Sequence, residues 1–333
     1  MRQKVKRGLV ICLAACMLTG GLEGCSHFEN TEFVLTTGLT ENQLFKVGSS
    51  VCTLPEAMIY VMDYQRQYES VYGVEMWEHD FGGITLEEYV KNIIVSQLAA
   101  MKAVTLLAEE YEVTLTEAET DHVKKAAEEY YTSMGSDMVK YMGLKEEHVE
   151  SLYHDHVLSR KVYQEITKDV NTEVSDDEAR IITVWQIHLD TRESAEEILE
   201  KLAQEKEFMT LASAYSKDSQ ISYTFGRGEK PAAYEEAAFA LENEGVSGII
   251  EEEDGYYILK CVNNFDREAT EANKVTMVER RRDEIFSGVY EELVANTPSE
   301  FNTKIWEQVH FEDWTGGIPE SFLEVYSRYF EGE

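Results

Sequence analysis

Apolar positions recur along this chain with a helical period at first and a strand-like period later. From residue 85 onward Leu86, Tyr89, Val90, Ile93, Ile94, Leu98, Met101, Val104 and Leu107 follow three- and four-residue spacing, which lines one broad face of a helix. Glu87, Glu88, Lys91 and Lys102 take the polar side. A second stripe runs through Val149, Leu152, Tyr153, Val157, Val162 and Ile166. Thr53, Thr85, Thr116 and Ser175 each precede a glutamate by three residues (Glu56, Glu88, Glu119, Glu178). In such a capping box the hydroxyl and the carboxylate satisfy two orphan amides, so the spacing predicts a helix start at each. The aromatic residues inside the stripes read as core rather than as a ligand box.

Near residue 179 the pattern changes. Ile181 to Leu189 is rich in β-branched and aromatic residues and predicts a strand. Helices are predicted over 194–204 and 208–215, and Gly226, Gly228 and Pro231 mark a loop. A short helix over 234–241, room for a small strand near 246–251 and a final strand over 255–262 complete an α+β unit. A charged amphipathic helix over 271–294 follows. The tail carries two aromatic clusters, Trp306 with Phe311 and Trp314, and Phe322 with Tyr326, Tyr329 and Phe330.

The first residues read differently from the rest. Arg2, Lys4, Lys6 and Arg7 precede an apolar run from Gly8 to Leu18 and the small residues Thr19, Gly20 and Gly21. That is the pattern of a secretory signal, here 1–24, and the run is too short to span a membrane as a helix. Leu22-Glu23-Gly24-Cys25-Ser26 then resembles the bacterial lipoprotein signal, in which the cysteine becomes acylated; simple cleavage that leaves Cys25 a free thiol is the alternative. Residues 25–44 read as a tether. With Cys12 and Cys16 in the leader, Cys52 and Cys261 remain, and sequence alone does not show whether they meet.

Charge narrows the partners. The 333 residues hold 64 acidic and 30 basic groups, a net charge of −34, which repels nucleic acid and anionic headgroups. A basic or partly unfolded polypeptide remains an acceptable partner. The length allows two or three domains, and a hydrophobic content of 43% is enough to pack a core. No cysteine pair has metal-site spacing, and His154 and His156 lie two apart on a predicted helix, so they do not share a face; no metal or other cofactor is expected.

Within the α+β unit the residues resemble a known family. Phe208-Met209-Thr210-Leu211-Ala212-Ser213-Ala214-Tyr215-Ser216-Lys217-Asp218, Phe225-Gly226-Arg227-Gly228, Tyr234 to Leu241, Gly245-Val246-Ser247-Gly248 and Gly255-Tyr256-Tyr257-Ile258-Leu259-Lys260 stand in the order and spacing of parvulin (PpiC-type) motifs. The segments on either side look like the split chaperone domain of PrsA-like and SurA-like foldases. The resemblance implies an α+β protein in which a mostly helical chaperone domain is split around an inserted parvulin-like module, a small antiparallel sheet with surrounding helices. Its divisions would be a helical half over 45–178, the module over 179–266, and a C-terminal helix and aromatic tail over 267–333 that packs on the helical half.

The family catalyses prolyl cis–trans isomerisation, which needs an apolar pocket for the ring and polar groups that favour a twisted amide. Several motif positions depart from the pattern. Gln186 and Tyr257 stand where the resemblance implies paired histidines, and Gln186 and Tyr257 are able to hydrogen-bond each other. The acidic loop is shortened to 220–224, which takes away the family's acidic site residue. Lys230 replaces the pocket methionine, Tyr234 replaces the pocket phenylalanine, and Phe225 and Phe239 are kept. His188 shares a strand face with Gln186 and is a candidate replacement imidazole. The resemblance thus implies catalytic positions Gln186, Tyr257 and His188 and substrate-binding positions Phe225, Lys230, Tyr234 and Phe239. Three functions stay open: a foldase that isomerises prolyl bonds in exported polypeptides from a lipid anchor on the outer face of the bacterial cytoplasmic membrane, a chaperone whose module only holds peptide, and a tethered scaffold for one exported partner.

Overall fold

A computed structural model describes residues 38–73, 76–80, 82–318 and 320–330. The expected leader over 1–24, Cys25 and most of the expected tether lie outside the described residues.

In chain order the elements are β1 (Gln43–Val47), β2 (Ser50–Thr53), α1 (Leu54–Tyr72), α2 (Leu86–Thr105), α3 (Glu117–Ser133), α4 (Ser136–Met142), α5 (Glu146–Thr167), β3 (Ile182–Leu189), α6 (Arg192–Ala203), α7 (Phe208–Tyr215), β4 (Ser222–Phe225), α8 (Ala232–Phe239), β5 (Ile250–Glu252), β6 (Gly255–Asn263), α9 (Arg267–Asn296), β7 (Ser299–Phe301), α10 (Thr303–Trp306) and α11 (Phe322–Phe330). The fold is α+β, with small antiparallel sheets. The chain divides into two compact units. One comprises residues up to Asp169 together with Asp283–Glu333, and the other is Val170–Arg282.

The first unit is a helical bundle edged by a small sheet. Thr53 caps α1 by accepting the Glu56 amide, and the Glu56 carboxylate accepts the Thr53 N–H at 2.6 Å. Thr116 and Glu119 do the same for α3, and Thr85 accepts the Glu88 amide at the start of α2. Ser175 differs from expectation. It accepts the Glu178 N–H at 3.1 Å, yet the segment is a turn, because the residues after it lead straight into a β-branched strand with no apolar helical period to bury. The three-stranded sheet of order β2-β1-β7 was not visible in the sequence. Its strands have 5, 4 and 3 residues, too few for a period, and β1 opens inside the segment read as a tether. Phe45 pairs with Phe301 across β1 and β7, so segments from both ends of the described chain share one sheet.

Leu86–Ala108 is long and apolar enough by composition to cross a membrane, but most of it is buried against other helices. Near its C-terminal end lies a buried ion cluster. Lys102 Nζ is 2.8 Å from Glu56 Oε1 and 2.5 Å from Asp155 Oδ2. Burial alone disfavours the ammonium, but the two carboxylates outweigh it and hold the lysine above its ordinary pKa. The tail closes the bundle. Phe322 stacks on Tyr153 with centroids 4.1 Å apart, Phe311 packs on Trp77 at 4.2 Å, and the buried Lys91 Nζ donates to the Val309 carbonyl at 2.6 Å. Asp63 of α1 caps α11 by accepting the Phe322 N–H. Burial pushes its carboxyl up to about 6 against those hydrogen bonds.

His156 lies in this aromatic core, with Nε2 2.6 Å from the Tyr60 hydroxyl. Burial pushes its pKa from 6.5 down to about 4, with Asp155 opposing. A depressed base favours the folded state above its unfolded pKa, and that stability is lost as pH falls through the folded value. Unfolding measured at pH 7.5 and pH 4 is therefore expected to show the wild type losing about 3 kcal/mol more than His156→Gln. The difference between the two proteins isolates the histidine, since Asp63, with its raised pKa, acts in the opposite direction. Parallel pH profiles would contradict this assignment.

The second unit is built on a four-stranded antiparallel sheet of order β4-β3-β6-β5. Alternation along β3 sorts its residues onto two faces. Ile182 and Val184, with Leu259 and Tyr257 of β6, face Phe225 and α8. Ile187 and Leu189, with Ile258, face α6 and α7. β4 occupies the region read as a shortened loop, and Val184 pairs there with Tyr223. Cys52 and Cys261 are both buried and unbridged.

Candidate active site

The site forms on the α8 face of the second unit. β3 delivers Gln186 and His188 two residues apart, and the segment after α7 runs beside that strand. His188 donates its N–H to Ser216 Oγ, Lys217 donates its N–H to the His188 carbonyl at 2.8 Å, and Gln186 donates its N–H to the Ile221 carbonyl at 2.8 Å. These bonds hold Asp218 between the two side chains. Gln186 Nε2 donates to Asp218 Oδ2 at 2.7 Å, and His188 Nδ1 lies 3.1 Å from the same oxygen. A carboxylate thus stands at the site after all. The sequence contained the signal, since Asp218 ends the Tyr-Ser-x-Asp motif, but a motif residue one loop away gives no hint of which strand it will join.

α8 supplies Tyr234, whose hydroxyl donates to Gln186 Oε1 at 2.7 Å. The amide is therefore oriented from both sides, oxygen toward a donor and nitrogen toward a carboxylate, and its second N–H is unused by these bonds. Tyr257 does not bond Gln186 as the sequence reading expected. Register places Gln186 opposite Leu259 and His188 opposite Tyr257. Tyr257 instead stacks on the His188 ring with centroids 4.3 Å apart and donates its hydroxyl to Asp254 Oδ2 at 2.9 Å. His188 Nε2 lies 3.2 Å from the Asp254 carbonyl. The turn at Gly255 makes room for the ring: at φ +149° a Cβ there would meet His188 Nε2 at 2.7 Å. Burial first, and then neighbouring phenols, raises the Tyr234 pKa. Burial and the Asp254 carboxylate raise that of Tyr257. Both phenols therefore stay protonated and act as donors.

The apolar wall is continuous with this centre. Phe225 of β4 is 5.9 Å from both Tyr234 and Phe239, and Tyr234 is 5.5 Å edge-on to Tyr257. Lys230 stands over the rim, with Nζ 4.3 Å from the Tyr223 ring centroid and 5.7 Å from those of Phe225 and Tyr234. Arg227 covers Phe239 at 4.4 Å while its guanidinium pairs with Asp177. The seven expected site residues of the module thus lie together in one aromatic cluster. Asp218, Tyr223 and Asp254 join them, and Cys25 falls outside the described residues. Among the described residues no cluster of His, Cys, Asp and Glu has the arrangement of a metal site.

Residues 188–263 match the rotamase family, the PPIC-type PPIase domain. The match begins at His188, two residues after Gln186. Foldase protein PrsA 1 of Listeria monocytogenes is 29% identical over 210 residues, covering 56% of this chain and 68% of the relative. Foldase protein PrsA of Caldanaerobacter subterraneus is 23% identical over 277 residues, covering 74% of this chain and 85% of the relative. The chain thus carries a parvulin-type domain and is similar to PrsA foldases. Among solved structures, peptidylprolyl isomerase PrsA from Bacillus cereus covers 73% of the chain at 19% identity with a TM-score of 0.36, this chain spanning 89% of it. The module sets an aromatic wall beside a polar centre built from an amide, an imidazole, two phenols and two aspartates.

Proposed function

We propose that this protein is a foldase for exported polypeptides, with a helical unit that holds non-native segments and a module that isomerises X–Pro bonds. The observation that carries the reading is the contact between Tyr234 and Gln186, which brings an oriented amide to the edge of an aromatic hollow. Rotation of a peptide bond faces a barrier of roughly 18–20 kcal/mol, and X–Pro exchange takes tens to hundreds of seconds unaided. The twisted transition state loses resonance and leaves a lone pair on the prolyl nitrogen. In this proposal the proline ring lies on Phe225, Tyr234 and Phe239, and the second N–H of Gln186 donates toward that nitrogen as the bond turns. Asp218 acts as a positioning residue that keeps the amide nitrogen facing the substrate side. No nucleophile is required.

The leader-like start and Cys25 support export and a lipid anchor, which would place the chain on the outer face of the cytoplasmic membrane with exported, proline-containing polypeptides as clients. The relatives are named foldases, which supports the folding role alone.

The test is a proline-peptide isomerisation assay on the full chain, beside an aggregation assay with an unfolded client. The wild type is expected to accelerate exchange, Tyr234→Ala to abolish the acceleration, and Tyr234→Phe to lower it at least fivefold by unlocking the amide. Suppression of aggregation is expected in all three. A wild type without acceleration even at high concentration would reduce the module to peptide binding. Absence of aggregation suppression as well would remove the foldase reading.

A further inference from the structure

Lys230 is unusual among the charged residues around the hollow. Three acids of the module are already engaged with the backbone. Glu229 accepts the Gly226 N–H at 2.9 Å, Glu235 the Gly228 N–H at 2.6 Å, and Glu252 the Tyr234 N–H at 3.1 Å. Asp218 accepts from Gln186 and lies 3.1 Å from His188 Nδ1, and Arg227 is paired with Asp177. Lys230 contacts the faces of three rings, and no carboxylate among the described residues pairs with it. In a chain of net charge −34, an ammonium without an acid is held there by the rings themselves, whose faces attract cations.

Those rings are the surface on which a proline would lie. Phe225 and Tyr234 are each only 3% exposed, and Tyr223, the more open member, is the ring that Lys230 covers most closely. We propose that Lys230 closes the hollow in the unliganded protein and that a client proline enters by displacing its ammonium. The inference rests on the reading of this hollow as the prolyl site. Displacement forfeits the cation–ring attraction, but the ammonium moves into water and is well solvated there, so Lys230 lowers affinity without blocking entry. The loss corresponds to a factor of about 2 to 30 in binding. The residue would set how weakly resting protein holds client, which suits a folding factor that must release what it binds.

The experiment measures binding of a fluorescein-labelled peptide with a central Ala-Pro to the full chain by anisotropy. Lys230→Ala and Lys230→Met, the latter restoring the side chain of the parvulin pattern, are expected to bind about 2- to 30-fold more tightly than wild type. Lys230→Arg, which also lays a cation on the rings, is expected to stay within about twofold of wild type. Equal or weaker binding by Lys230→Ala and Lys230→Met, with unchanged circular dichroism, overturns the proposal, as does a gain in Lys230→Arg as large as that in Lys230→Ala. If wild type and all variants fail to bind the peptide, the prolyl-site reading falls and the gate falls with it. Binding by wild type without tightening in the variants removes only the gate.

Discussion

Lys102→Met is expected to destabilise the helical unit by about 3–5 kcal/mol, because it strands two carboxylates in the core. The side chains of Lys102 and Glu56 are 4% and 3% exposed and that of Asp155 is 14% exposed. Little water reaches either acid to replace the lost ammonium. A buried ion pair adds little stability over a packed apolar replacement, yet removing one member leaves an uncompensated charge. Asp155→Asn should cost clearly less, since Lys102 then still pairs with Glu56. Urea unfolding followed by far-ultraviolet circular dichroism reads both. Equal losses for the two variants, or a loss below about 1 kcal/mol for Lys102→Met, would mean that the cluster does not carry its charges as described.

The second large effect concerns the tail. Phe322→Ala is expected to cost about 3–5 kcal/mol, the range for removing a fully buried phenylalanine. Phe322 is 1% exposed and lies flat on Tyr153 at 6°. It also meets Tyr130 edge-on at 5.6 Å and His156 at 5.3 Å. The cavity would open at the start of α11, where the Phe322 carbonyl accepts the Tyr153 hydroxyl, so limited proteolysis should cut the tail first. Phe322→Leu should retain more than half of the stability. A tail as protease-resistant in Phe322→Ala as in wild type would show that α11 docks without this ring.

Much of the framework was legible along the chain. The apolar stripe after Thr85 became α2 with most of its predicted face buried, although Tyr89 is exposed and Lys91 and Lys102, read as polar-side residues, are buried, and the threonine–glutamate boxes at Thr53 and Thr116 formed both of their bonds. The α+β class and the strands at Ile182 and Gly255 followed from β-branched runs bounded by turns. The strands of the edge sheet were hidden because three to five residues are too short for a pattern, and because β1 and β7 are brought together only by the whole fold.

The site divides the same way. The motifs pointed to Phe225, Tyr234, Phe239 and the strand positions, and the fold brings these side chains together. Which atoms meet could not be read from the motifs. The sequence allowed Gln186 to bond Tyr257, and antiparallel register instead set Tyr257 against His188 and left Gln186 to Tyr234 and Asp218. Lys230 was legible as a substitution, but its place over three aromatic faces was not.

The sequence by itself therefore determined most of the local elements and the class of fold, because periodicity, caps and turn residues act over a few neighbours. The tertiary structure alone decided the hydrogen-bond partners, the buried ion cluster and the position of the tail. Those depend on strand register and on contacts between segments up to 262 residues apart, whose geometry no local pattern encodes.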